Sequence, residues 1–186
     1  MTTCDLYIIL HEELGRPSSD LVTRQSGQAV RERIEQALLN EKDRAVIALD
    51  FSRIGVIDYS CADEIIAKII SRLLGGEYGD RYILLCGITD NQKENIEVAL
   101  ERKDLAIVAD MRGGKKTILG SLNNYLRETL RLITEQGRLT ARDLADLAGI
   151  GANTSGTRLL NLHKKRLVMR TEEQGESGRV WVYTVI

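Results

Sequence analysis

A chain of 186 residues, 43% of them hydrophobic, is long enough for one large domain or two small ones with packed cores. A single Phe and a single Trp leave Ile, Leu, Val and Ala to fill those cores. The formal net charge of −1 excludes attraction of a polyanion by bulk charge. The charge is unevenly placed, however: residues 1–119 carry 16 basic and 20 acidic side chains and residues 120–186 carry 10 and 7, which makes the C-terminal part the better candidate for touching nucleic acid.

Taken in chain order, DLYIILH (5–11) reads as a strand and RQSGQAVRERIEQALLNE (24–41) as a helix. In that helix Val30, Ile34, Ala37 and Leu38 recur at helical spacing, and the start lies near Gln25 or Ser26. RAVIALDF (44–51) is a nearly continuous apolar run, as expected of a strand covered on both faces. ADEIIAKIISRLLGG (62–76) is a helix ended by Gly75 and Gly76, and RYILLCG (81–87) a buried strand. NQKENIEVALERK (91–103) places Ile96, Ala99 and Leu100 on one side of a helix, and DLAIVAD (104–110) closes the series as a strand. Strands alternating with helices predict an α/β layer structure.

DMRGGKKTILG (110–120) breaks the rhythm with three glycines and two lysines, so the domain boundary is placed there, dividing the chain into 1–112 and 113–186. GGKKT looks like the end of a phosphate loop, but both the Gly-Lys-Ser/Thr core and the glycine five residues before it are missing. ILGSLNNYLRETLRLITEQG (118–137) then carries Leu122, Leu126, Leu130 and Ile133 at helical spacing up to Gly137. A second helix opens at Thr140, with Asp143 at capping-box spacing, and ends at Gly149. A third runs through ANTSGTRLLNLHKKR (152–166), and the tail (167–186) reads as a β-hairpin.

Cys4, Cys61 and Cys86 are odd in number and far apart, which fits reduced thiols better than a disulfide framework. His11 and His163 are equally far apart, so no metal-ligand cluster is expected, and neither is a cofactor. The opening MTTCDLYIILHEE has an apolar stretch too short for a membrane span and lacks the basic start of a leader; the expectation is a cytoplasmic protein without a membrane role.

The order helix, helix, turn, helix, hairpin is that of a winged helix-turn-helix. Over residues 119–186 the chain resembles the small α+β winged-helix domain of bacterial transcription regulators. The resemblance rests on Leu144, Ala145 and Leu147, the turn glycine Gly149, Leu159 and Leu162, and the Leu167-Val168 pair entering the wing. It implies binding of double-stranded DNA. A groove-reading helix needs small polar residues at its start and cations for the phosphates. Asn153, Thr154, Ser155, Thr157 and Arg158 supply the first, and His163, Lys164, Lys165 and Arg166 the second. Arg170 and Arg179 in the hairpin are within reach of a flanking phosphate. The rival reading is a protein-binding module: HKKR is also a solvated helix end, the wing tip EEQGE is acidic, and Leu160 falls where a polar residue is usual. The helix over 119–136 is a candidate for pairing two chains as a homodimer.

In the first half, IALDFSRIGVIDYSCADEIIAKII and TRQSGQAVRERIEQAL resemble the STAS domain of anti-sigma-factor antagonists. They resemble still more the STAS-like domains of bacterial regulators, over about residues 4–110. That resemblance implies an α/β domain whose strand-to-helix turn meets a protein partner, a histidine-kinase-like ATPase that phosphorylates a serine. Aligned on Asp58, Tyr59 takes the place of the family's first serine, Ser60 that of the phosphorylated one, and Cys61 that of a glycine. Ser60 and Asp63 also have capping-box spacing, so Ser60 has two compatible roles, helix cap and switch. A phosphate there would stand among Asp58, Asp63 and Glu64, which suits breaking a complex better than making one. Asp50, Asp58, Asp63 and Glu64 are near one another in sequence, but no base or nucleophile accompanies them and no catalysis is expected.

Overall fold

The first apolar stretch, expected as one strand over 5–11, is divided. In the computed structural model, which describes residues 1–175 and 178–186, β1 is Thr2–Asp5 and helix α1 is Leu6–Leu14. Asp5 breaks the strand because its carboxylate caps the helix, accepting from the backbone N–H of Tyr7 and Ile8 at 3.0 and 3.1 Å. Leu6 and Leu10, one helical turn apart, are fully buried, and Gly15 ends the helix with φ +62°. A short apolar run fits both periods, and here the cap and the burial of one helical face decide.

The chain forms two units, Met1–Ser121 and Leu122–Ile186. In the first, α2 is Arg24–Asn40, β2 Val46–Asp50 and α3 Tyr59–Ala62, followed by a π-helical turn over Asp63–Ala67 and by α4, Lys68–Leu74. Then come β3 (Tyr82–Ile88), α5 (Asp90–Glu101), β4 (Ala106–Met111) and β5 (Lys116–Gly120). The result is a mixed α/β unit with one sheet in the order β1-β2-β3-β4-β5, parallel through β4 and antiparallel between β4 and β5. One face of the sheet, with Ile47, Leu49, Ile83, Leu85, Ile107 and Ala109, belongs to the core that also takes in Val30, Ile34 and Leu38 of α2 and Ile96 and Leu100 of α5. Alternate residues Ala48, Tyr82, Leu84, Ala106 and Val108 are buried as well, which is why these strands read as continuous apolar runs.

The glycine-lysine stretch does not divide the domains. It is the turn of the β4–β5 hairpin: Gly113 and Gly114 take φ +131° and +80°, and Lys116 pairs with Asp110. The division falls after Ser121, and the helix expected over 118–137 begins only at Asn124, because residues 118–120 are committed to pairing with β4.

The second unit consists of α6 (Asn124–Gln136), β6 (Leu139–Thr140), α7 (Ala141–Ala148), α8 (Ala152–Lys164), β7 (Val168–Gly175) and β8 (Gly178–Val185). The expected capping box forms: Thr140 Oγ1 accepts from Asp143 N, and the Asp143 carboxylate accepts from Thr140 N at 2.8 Å. Gly149 closes α7 at φ +61°. The hairpin β7–β8 pairs in continuous register from Val168–Val185 to Gly175–Gly178, and β6 adds to β8 as the third antiparallel strand. Among the described residues no helix is long and apolar enough to cross a membrane.

Candidate functional site

Two places carry the residues singled out by sequence, one in each unit. In the first unit the chain leaves β2 and reaches α3 through Asp58, whose backbone N–H is held by the Leu21 carbonyl at 2.9 Å. Asp58, not Ser60, is the cap. Its Oδ1 accepts from the Cys61 N–H at 2.8 Å and from the Ser60 hydroxyl at 2.9 Å. Ser60 lies two residues inside the helix, half-buried, with its O–H donated to the Asp58 carboxylate. An extended Asp58 (φ −82°, ψ 168°) sets this boundary, and a serine already inside the turn cannot reach forward to cap it. Tyr59 is half-buried, with the Arg102 guanidinium 4.7 Å above its ring.

The expected cluster of bare carboxylates around Ser60 is not what the fold builds. Asp63 faces Lys103 Nζ at 2.6 Å and Arg24 at 3.9 Å. Glu64, 2% exposed, receives Arg31 Nε at 3.2 Å and Lys68 Nζ at 2.6 Å. Arg31 extends the network to Glu35, which also accepts from Arg72 and from the Tyr78 hydroxyl. Of the carboxylates named from sequence, only Asp58 meets the Ser60 hydroxyl, while Asp50 accepts from Ser52 N. Among the described residues no three His, Cys, Asp or Glu side chains come together as a metal site. The cations Arg24, Arg31 and Lys103 were not foreseen, since they come from other elements, 33 to 40 residues away from their carboxylates along the chain.

The approach of α2 to this turn depends on Gly27. A Cβ there would stand 3.3 Å from Cys61 Cα, Cys61 Sγ and Glu64 Cβ. Cys61 is fully buried and its thiol donates to the Thr23 carbonyl at 2.9 Å. Burial, with the Asp58 carboxylate second, pushes the Cys61 thiol up to about 11. Burial also raises Cys4 and Cys86. Thiolates are the reactive form, so iodoacetamide at about pH 8 is expected to leave Cys61 unmodified in the folded chain and to alkylate it readily in denaturant, read by peptide mass spectrometry. Rapid alkylation of the folded protein would contradict the placement.

In the second unit α8 presents two stripes. Ser155, Leu159 and Leu162 point inward and are fully buried. Ser155, expected at the bases, is therefore removed from any exposed surface; its hydroxyl donates to the Ala141 carbonyl at 2.6 Å and ties α8 to α7. Asn153, Thr154, Thr157 and Lys164 are exposed, while Lys165 and Arg166 are partly covered where the helix turns into β7. Arg158 is also partly covered, lying 5.3 Å over the Tyr125 ring and 3.9 Å from Glu128. Tyr125, Asn153, Thr154, Thr157, Arg158 and Asn161 line a shallow cleft of about 410 Å³ between α6 and α8. Arg170 stacks 4.3 Å over Trp181, and Arg179 stands 3.6 Å from Glu172. Arg138 pairs with Glu173 at 2.6 Å, so two carboxylates of the acidic β7 stretch have cationic partners. Glu176, the last residue of the EEQGE run, lies outside the described residues. Tyr125, Asn161 and Trp181 were not singled out by sequence. The off-rhythm position of Tyr125 beside Leu126 marked it as exposed, but its neighbour Arg158 follows only from how α6 packs on α8.

No family model and no curated relative matches the chain. The fold is that of a two-unit chain with a mixed, mostly parallel α/β first unit.

Proposed function

We propose that the chain is a two-part regulator: a winged-helix second unit that binds duplex DNA through α8, and a STAS-like first unit that answers a protein partner. One observation carries the DNA reading. The inward stripe of α8 leaves Asn153, Thr154 and Thr157 exposed at one end of the helix and Lys164 at the other. Short polar side chains suit base edges, and cations suit phosphates. The excess of basic over acidic side chains in residues 120–186, 10 against 7, supports the same assignment.

The test is fluorescence anisotropy of labelled duplex DNA with the full chain, between about 50 and 200 mM salt. Affinity is expected to fall steeply with salt, and the Lys164→Ala, Lys165→Ala double variant to flatten the log–log slope by about 2. Salt-independent binding, or none at the lowest salt, defeats the DNA reading.

A second reading has its own observation. Leu160 is half-exposed within the Asn153–Thr157–Lys164 stripe, which favours a protein contact at that face. Under that reading the double lysine variant behaves like the parent in the salt titration.

In the first unit the partner is inferred to be an ATPase of the histidine-kinase type, with Ser60 as the switch. The half-buried Ser60 hydroxyl already donates to Asp58, so a phosphate in its place would repel the capping carboxylate and loosen the first turn of α3. This reading places the protein in the cytoplasm and gives it no catalytic step of its own.

A further inference from the structure

The glycine-lysine stretch that fails as a phosphate loop lines a cleft of a different construction. Gly87, at φ +70°, sits in the register shift between β3 and β4. A Cβ there would come within 2.8 to 2.9 Å of the Ser52 backbone, so glycine lets the chain leaving β2 cross β3 closely. Beyond the bulge Ile88 accepts from the Arg112 backbone N–H at 2.8 Å, and the Arg112 guanidinium donates to the Ser52 carbonyl. Gln92, 1% exposed, holds the neighbouring wall: its Oε1 accepts from Thr89 N at 2.9 Å and its Nε2 donates to the Ile54 carbonyl at 2.7 Å. Between these fixed parts lies an open cleft of about 430 Å³ beyond the carboxyl ends of β3 and β4.

Three cations line it, Lys93, Arg112 and Lys115, against one carboxylate, Asp90. Glu97 stands 3.9 Å from Lys93, at the limit of an ion pair. Ile88 and Met111 add an apolar wall. We propose that this cleft binds a small dissolved phosphate ester of about nucleotide size. The excess of cations matches a phosphoryl dianion, and the Arg112 fork is already oriented by Ser52. The volume lies in the range of small-molecule sites and exceeds what a bare phosphate fills, while Ile88 and Met111 receive the organic part.

The test is isothermal titration calorimetry of the full chain with ADP and pyrophosphate, with adenosine and citrate as comparisons. Saturable binding of one ADP per chain is expected, with pyrophosphate weaker and adenosine and citrate silent. Lys115→Gln, an exposed position in the hairpin turn, is expected to weaken ADP about tenfold or more, and Arg112→Gln at least as much. Lys42→Gln, an exposed lysine that does not line the cleft, is expected to leave ADP binding unchanged. The proposal is overturned if ADP gives no saturable heat, if Lys115→Gln binds it like the parent, if Lys42→Gln weakens it equally, or if adenosine or citrate binds as well as ADP.

Discussion

Glu64→Ala is expected to destabilise the first unit by about 3 kcal/mol, read by urea denaturation under far-UV circular dichroism and by faster hydrogen exchange along α2. Glu64 is 2% exposed and holds Arg31, whose side chain is 8% exposed. Removing the carboxylate leaves Arg31 buried with less compensation. The expected cost sits at the low end for a broken buried pair, because Arg31 keeps Glu35 at 2.8 Å. Replacing both partners, Arg31→Met with Glu64→Leu, is expected to recover most of the loss, since it removes both desolvation costs. A change in the single variant of under about 1 kcal/mol would show that the network is solvated in solution.

The same network sets a pH dependence. Burial alone would raise the Glu64 carboxyl; the hydrogen bonds and charges of Lys68 and Arg31 outweigh it and hold the group below its ordinary value. Glu35 is lowered likewise, burial opposing and Tyr78, Arg31 and Arg72 prevailing. A carboxyl lowered in the folded state binds its proton less readily there than in the unfolded chain. The stabilisation is therefore full above the unfolded value near 4.5 and is lost as pH falls through the lower folded value. Burial, followed by the Glu35 carboxylate, pushes Tyr78 up to about 12, with the opposite sense: its share is full below the unfolded value of 10.0 and fades as pH rises through about 12.

Gly120→Ala is expected to cost about 3 kcal/mol by the same denaturation measurement. Gly120 ends β5 at φ +87°, where it pairs with Ala106. A Cβ would stand 2.7 Å from Leu100 Cβ and closer still to the Leu105 carbonyl oxygen, which already accepts from Ser121 N. Backbone strain and collision therefore add. Gly114→Ala separates them: Gly114 has φ +80° with nothing within 4 Å of a built Cβ, so its cost is expected to be only about 1 kcal/mol. Equal effects of the two variants would mean that the closure of β5 over the end of α5 is loose enough to yield.

The features legible in the amino-acid order were those made within a few residues. The Thr140–Asp143 capping box, the stop at Gly149, the apolar spacing of Val30, Ile34 and Leu38, and the β7–β8 hairpin all depend on partners close along the chain, and their residue types announce them. Strands β2, β3 and β4 were legible because sheet residues buried on alternate faces must be apolar throughout.

What the tertiary structure decided were pairings between distant segments. Leu6–Leu14 became a helix because Asp5 capped it and Leu6 and Leu10 found a core. Residues 116–120 became a strand, and moved the division between the units, because β4 offered an open edge. The cap at α3 fell on Asp58, and Ser155 turned inward onto Ala141. Asp63 and Glu64, bare in the sequence, acquired cations from α2 and the segment after α5. Residue type sets what a side chain can bond to; which partner lies within 3 Å of it is settled only when elements tens of residues apart pack together.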